Sequence, residues 1–208
     1  MRKTVLLVLA MGLVPTCSFA VDGVVLINQS TVMAAGGFPY IIKDPGSYKL
    51  SGNLTMNTTL LGNYFAVWDI AIAIASSNVN LDLNGFAITV NNSDPNIGHN
   101  FYVIKETSNL SHISIRSGGI TVNTPFLAGS GRYVGVDLLS STYNVIEDLS
   151  VTNVDASSGN AMKTGQLSVY RRNRFKAGAP SILCPSLIVE NVGIFPVPSP
   201  CVSWNNIF

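Results

Sequence analysis

The side chains of this chain with the most chemical potential are few and scattered. Asp82, Asp137, Glu147, Asp148 and Asp155 are the carboxylates available to hold a hard cation or move a proton. Calcium takes about six to eight oxygen ligands, so a calcium site needs several of them stacked on one face. Asp82 stands beside the turn pair Asn84-Gly85, where its expected role is to accept backbone N–H bonds. Glu147 and Asp148 are sequence neighbours, and on a regular strand they point to opposite faces, so they make a poor acid–base pair. His99, in Gly98-His99-Asn100, and His112 stand apart, and Arg116 has no nearby carboxylate cluster to make it a base. No Gly-x-Ser-x-Gly and no glycine-rich phosphate loop is present. No catalytic residue and no metal ligand is nominated.

Side chains suited to binding or scaffolding are more numerous. The aromatics Tyr64, Phe65, Trp68, Phe101, Tyr102, Tyr133 and Tyr143 can stack on sugar rings or pack in a core. Tyr102 and Tyr133 each open a strand-like run, which makes them the candidate ligand-binding pair, with core packing as the competing reading. Asn78, Asn109 and Asn144 precede apolar runs at comparable steps, and stacked amides would form a structural Asn ladder there. Cys184 and Cys201 flank a Pro-rich segment; they are either a disulfide of an oxidising compartment or two buried thiols. With no histidine close by in sequence they make an incomplete zinc site.

Only 11% of the residues are charged, and the formal net charge is +1. Gly, Ser, Thr and Asn fill the polar positions, a composition of strands and turns rather than of surface helices. The small basic group Arg171, Arg172 and Arg174 reads as a solvated turn, and no nucleic-acid footprint is visible. Residues 1–20 read as a secretory signal, with Arg2 and Lys3, an apolar run from Thr4 to Val14, and small Ser18 and Ala20 before a cut. That run is too short for a membrane anchor, so no stable span is expected after its removal. Thr16 and Pro15 before Cys17 argue against lipid attachment.

The elements that must position these residues follow from one stretch. In Asn78–Val90, the apolar Val79, Leu81 and Leu83 alternate with Asn80 and Asp82, Asn84-Gly85 turns, and alternation resumes at Phe86, Ile88 and Val90. Period-two alternation predicts short strands. Weaker copies run from Tyr102 through Ile113-Ser114-Ile115 to Val122, and from Val134 through Val145-Ile146 to Val151. Short strands in an irregular repeat, with no helix to make a βαβ crossover, predict a solenoid in which each strand pairs with its counterpart one repeat away. Asn91–Asn100 and Thr124–Arg132 are the expected loops. Ser30-Thr31 is expected to cap a single helical turn stopped by Gly36-Gly37.

The segments Gly36-Gly37-Phe38-Pro39-Tyr40, Pro45-Gly46-Ser47-Tyr48-Lys49-Leu50-Ser51-Gly52-Asn53-Leu54 and Leu81-Asp82-Leu83-Asn84-Gly85-Phe86-Ala87-Ile88-Thr89 resemble bacterial secreted proteins of the pectin-lyase-like superfamily. The resemblance implies an all-β, right-handed parallel β-helix. Its expected organisation is a signal at 1–20, an N-terminal cap and first coil at 21–57, and the β-helix with a Pro-rich end at 58–208. It implies little about activity, because that superfamily includes lyases, hydrolases, epimerases and tailspikes. The Asn-Thr-Asp, Asp-Asp, Gly-His-Gly and Arg-Ile-Lys motifs of its polygalacturonase-like members are absent. The expectation is a secreted, periplasmic or cell-surface protein without catalysis that contacts extracellular polysaccharide and needs no cofactor. Two alternatives stand beside it. One is a degenerate calcium-dependent lyase or hydrolase; the other is a structural or adhesive protein that self-associates through its apolar C-terminal coil.

Overall fold

The computed structural model describes residues 23–58, 69–92, 100–123, 132–153, 160–176, 181–182, 184–193, 201–204 and 206. The signal segment, Tyr64, Phe65, Trp68, His99, Asp155, most of the two expected loops and the prolines after Ile194 lie outside the described residues.

The chain is all-β with parallel strands in two sheets. The larger sheet, A, has 11 strands. Its main path runs through β1 (Val24–Ile27), β3 (Gly46–Leu50), β6 (Val79–Asp82), β9 (Ser114–Asn123), β11 (Val145–Asn153), β13 (Val169–Arg171), β16 (Leu187–Val189) and β17 (Val202–Trp204). β4 (Leu54–Thr58) and β7 (Ala87–Asn92) extend it through β9, and β14 (Arg174–Phe175) through β11. Sheet B orders β2 (Tyr40–Ile42), β5 (Asp69–Ile74), β8 (Asn100–Glu106), β10 (Arg132–Leu138), β12 (Asn160–Thr164) and β15 (Ser181–Ile182). β6 pairs with β3 and β9 and β7 with β4 and β9, so the hairpin that Asn84-Gly85 might have closed does not form; of the paired strands only β16 and β17 are consecutive in the chain, and they too run parallel. The arrangement is compatible with a parallel β-helix.

Register explains why alternation was legible. Tyr48, Leu81, Ile115, Ile146, Tyr170 and Ile188 are successive partners along sheet A, and all are buried. Leu54, Ile88, Ile120, Val151 and Phe175 form a second buried column, and Ile72, Ile104, Val136 and Met162 a third on sheet B. The sequence distance to the matching position is not constant. It is 23 residues between Asn28 and Ser51, 34 between Leu50 and Asn84, and 31 between Ile113 and Asn144. It then falls to 24 between Asn144 and Ser168, 18 between Ser168 and Ser186, and 15 between Asn191 and Asn206. The repeats are widest in the middle of the chain and contract toward its end.

Turns are built from residues in the left-handed region. Asn78, His112, Tyr143 and Leu167 precede sheet A strands at matched positions, Ser117 and Asp148 lie within β9 and β11, and Arg172 and Glu190 directly follow β13 and β16, all with φ between 53 and 59°. The first set makes one repeated backbone bond: the N–H of each donates to a carbonyl in the next repeat, Asn78 to Ser111 and His112 to Thr142. A β-branched residue would be strained at such positions, and none stands there.

α1 (Gln29–Ala34) differs from the expected helix in its cap. Asn28, rather than Ser30 or Thr31, accepts from the Thr31 N–H at 3.0 Å, and the Thr31 hydroxyl accepts from the Asn28 N–H at 2.8 Å. Asparagine is as good an N-cap as serine, and the reciprocal bond decides between them. Val32 of α1 is buried and closes the interior at this end.

Gly165 is held by close approach. A Cβ there would lie 1.6 Å from the Ser141 carbonyl oxygen, whereas one at Gly52 would meet nothing nearer than 3.8 Å. Gly165→Ala is expected to destabilise the fold by about 2–4 kcal/mol and Gly52→Ala by less than about 1 kcal/mol, read from urea unfolding midpoints.

Candidate functional site

The outer face of sheet A carries a column of charged groups. Lys49, Asp82, Arg116, Glu147 and Arg171 are successive Cα partners on strands β3, β6, β9, β11 and β13, so the charge alternates from repeat to repeat. Arg116 pairs with Asp82 at 3.4 Å, and Arg171 with Glu147. Asp82 also accepts from the Asn84 N–H at 2.8 Å, the turn role its sequence position implies.

A second ladder runs beside the first. Asp148 within β11, Arg172 after β13 and Glu190 after β16 occupy matched left-handed positions. Because Asp148 is in that region, the pleat is broken, and Glu147 and Asp148 do not diverge as a regular strand would require. Both reach Arg172, which pairs with Asp148 at 2.7 Å and with Glu147 at 3.3 Å. The hydrogen-bonded Arg172 guanidinium holds the Asp148 carboxyl below its ordinary range. The basic group is thus largely consumed in ion pairs. Arg174 is exposed and makes no ion pair among the described residues. With Ser150, Arg172, Asp148, Glu190 and Val192 it lines a surface depression of about 420 Å³.

Along the opposite margin of the same strands the turn residues become aromatic and apolar. The rings of His112 and Tyr143 stack at 5.3 Å with 14° between their planes, and Tyr143 is 52% exposed. Leu167 follows at the next matched turn and is exposed. The outward strand column beside it changes from Ser47, Asn80 and Ser114 to Val145, Val169, Leu187 and Val202.

Tyr102 and Tyr133, the sequence candidates for stacking on a ligand, lie in sheet B and are 8% and 1% exposed. Tyr133 stacks instead on Phe101 at 5.4 Å, and Lys105 sits 3.8 Å from the centre of the Tyr102 ring. Both faces of this part of sheet B are covered, so an aromatic at a strand start is not thereby exposed. Asn78, Asn109 and Asn144 do not stack. Asn78 is matched with His112 and Tyr143, Asn109 precedes that turn, and Asn144 aligns with Ile113 and Val79. A one-position offset separates an exposed turn residue from a buried one.

The chain does build asparagine ladders, at positions the sequence reading missed. Asn173 donates its amide to Asn191 Oδ1 at 3.0 Å, and Asn191 donates to Asn206 Oδ1 at 3.2 Å. Asn91 donates to Asn57 and Asn123 to Asn91, each at 2.9 Å, on an exposed edge. Asn144 continues instead into a serine series, its N–H donating to Ser168 Oγ at 3.1 Å. Cys184 and Cys201 form a disulfide across a separation of 17 residues, which ties the last repeats together.

Among the described residues, no group of three or more His, Cys, Asp or Glu side chains is placed to hold a metal ion. Asp137, one of the candidate carboxylates, pairs with Lys105 at 3.5 Å under nearly complete burial. No helix among the described residues is long and apolar enough to cross a membrane.

Comparison with family models, with curated proteins and with solved structures finds no match. The resemblance to pectin-lyase-like proteins therefore rests on the quoted segments and on the parallel architecture.

One carboxylate breaks the inward pattern. Glu106 follows Ile42 and Ile74 in a buried sheet B column. Its Oε1 accepts from the Ser140 N–H, and its Oε2 has no hydrogen-bond partner among the described residues. Burial pushes its pKa from 4.5 up to about 7. A folded-state value above the unfolded one means stability that is full below pH 4.5 and lost as pH rises through about 7. The wild-type urea midpoint should fall between pH 5 and 8.5 by an amount worth about 2 kcal/mol. Glu106→Gln should flatten that dependence and be the more stable form at pH 8.5. A wild-type midpoint constant across this range would contradict the assignment.

Proposed function

We propose that the chain winds as a right-handed parallel β-helix and works outside the cytoplasm as a non-catalytic surface protein that holds polysaccharide on the outer face of sheet A. The handedness follows from the strong preference of parallel strand-to-strand connections for the right-handed crossover. The disulfide and the signal-like first 20 residues favour an oxidising, secreted setting. The observation that carries the binding reading is the exposed His112–Tyr143 stack at the turns before β9 and β11, together with the depression formed by β11 and its partner β14, where Arg174 makes no ion pair among the described residues. An aromatic face offers a sugar ring a flat apolar platform, and a guanidinium supplies forked donors for carboxylate or hydroxyl groups.

This site replaces Tyr102 and Tyr133 as the place of contact. A calcium-dependent lyase would need a stacked acidic group, and no three carboxylates converge among the described residues, where Asp82, Asp137, Glu147 and Asp148 are taken up in ion pairs. The adhesive alternative is favoured by a separate feature, the two ends of the chain.

The test is retention of the purified protein on a panel of acidic and neutral polysaccharides. Tyr143→Ala is expected to weaken binding about tenfold, equivalent to about 1.4 kcal/mol. Arg174→Ala should weaken binding to acidic polymers selectively and reduce the sensitivity of that binding to salt. No retention of the wild type on any member of the panel sinks the reading. Release of unsaturated products or new reducing ends from pectate with calcium would overturn its non-catalytic part.

A further inference from the structure

Charge is distributed unevenly between the middle and the ends of this chain. From Gly23 to Ile42 there is no Asp, Glu, Lys, Arg or His, and there is none after Glu190. These two segments supply the outermost strands. Among the described residues β1 pairs only with β3 at one end of sheet A, and β17 only with β16 at the other. On its outer side neither strand has a partner among the described residues, and neither carries the charged side chains that normally keep such an edge from pairing. α1 contributes the buried Val32 to the core.

The side-chain columns end the same way. The column with Lys49, Asp82, Arg116, Glu147 and Arg171 at its centre begins at Leu26 and finishes at Val189 and Trp204. The neighbouring outward column holds Ser47, Asn80 and Ser114, begins at Val24 and finishes at Leu187 and Val202. Leu26 is 52% and Val202 64% exposed, large values for aliphatic residues on strands. Because every strand of the sheet runs in one direction, a copy displaced along the sheet brings its β1 parallel to β17. In the same register the backbone of Val24 then lies opposite that of Val202, and position 26 opposite position 204. Both ends are also narrower than the middle, with steps of 23 and 15 residues against 34.

We propose that β1 of one copy pairs in parallel with β17 of another, so that the chains associate end to end. The occupant is a second copy because only its opposite end offers a strand of the right polarity, with apolar residues at the matching positions and no charge to bury. The contact is heterologous, leaves a free edge at each end of the pair, and so yields an open series rather than a closed dimer.

Sedimentation velocity of the full chain, purified from the compartment where it accumulates, tests this over a concentration series reaching about 1 mM. The wild type should show species that grow with concentration. Leu26→Asp and Val202→Asp should each be monomeric where the wild type associates. An equimolar mixture of the two should form a dimer that grows no further, since each variant keeps one competent end. Circular dichroism and melting confirm that the variants are folded, and Leu26→Lys and Val202→Lys repeat the test should an aspartate unfold the chain. A wild type monomeric throughout overturns the proposal. So does association that survives Val202→Asp, or a mixture that fails to pair.

Discussion

Everything in this chain depends on parallel backbone pairing held in one register through sheet A. Once a strand bonds to its counterpart a repeat away, each inward residue lies on another inward residue. The choice of apolar side chain is then made by the column rather than by the strand. This explains how strands as short as β13 and β16 persist: the bonds and buried contacts they lack within their own segment come from the neighbours before and after. A turn that shifted one residue would move a whole strand's apolar set to solvent, and the left-handed residues at both ends of the strands fix that position.

The interior changes character as the repeats contract. In the middle of the chain, steps of 31 to 34 residues enclose Leu, Ile, Val and Phe columns. Where the step falls to 18 and 15 residues, less backbone encloses less space, and inward positions are taken by Ser168, Ser186, Asn173 and Asn191. Side-chain amides and hydroxyls there bond to backbone groups of adjacent repeats, as when Asn191 donates to the Tyr170 carbonyl at 3.0 Å. Cohesion passes from apolar burial to hydrogen bonding, and the disulfide lies where burial is smallest. The two regimes respond differently to conditions, since apolar burial carries the heat capacity and the ladders carry the geometric specificity.

The strands of the central repeats were legible because alternation and register report the same fact. The site was much less legible. Tyr102 and Tyr143 are both tyrosines near the start of a strand, yet one is buried and the other exposed, because the faces of sheet B are covered and the turn before β11 is not. Nothing in either residue's local sequence carries that difference. Asn144 bonds to the Ile113 N–H and to Ser168 rather than to Asn78 or Asn109, a result that needs register to the residue. Glu147 and Asp148 were misread for the same reason, since a left-handed φ at Asp148 is invisible to a rule that assumes a continuous pleat.

The alternating ladder from Lys49 to Arg171 also works as a form of error correction during assembly. In a stack of parallel strands the characteristic pairing mistake is to skip one strand, looping out a repeat while keeping the apolar columns intact. Burial alone barely discriminates against this, because Ile146 would sit on Leu81 as comfortably as on Ile115. With alternating charge, however, skipping β9 would set Glu147 against Asp82, and skipping β11 would set Arg171 against Arg116. Like charges directly opposed across a strand pair are unfavourable. The outer face thus encodes the parity of the count, and a chain that has lost one repeat is marked before the next strand arrives.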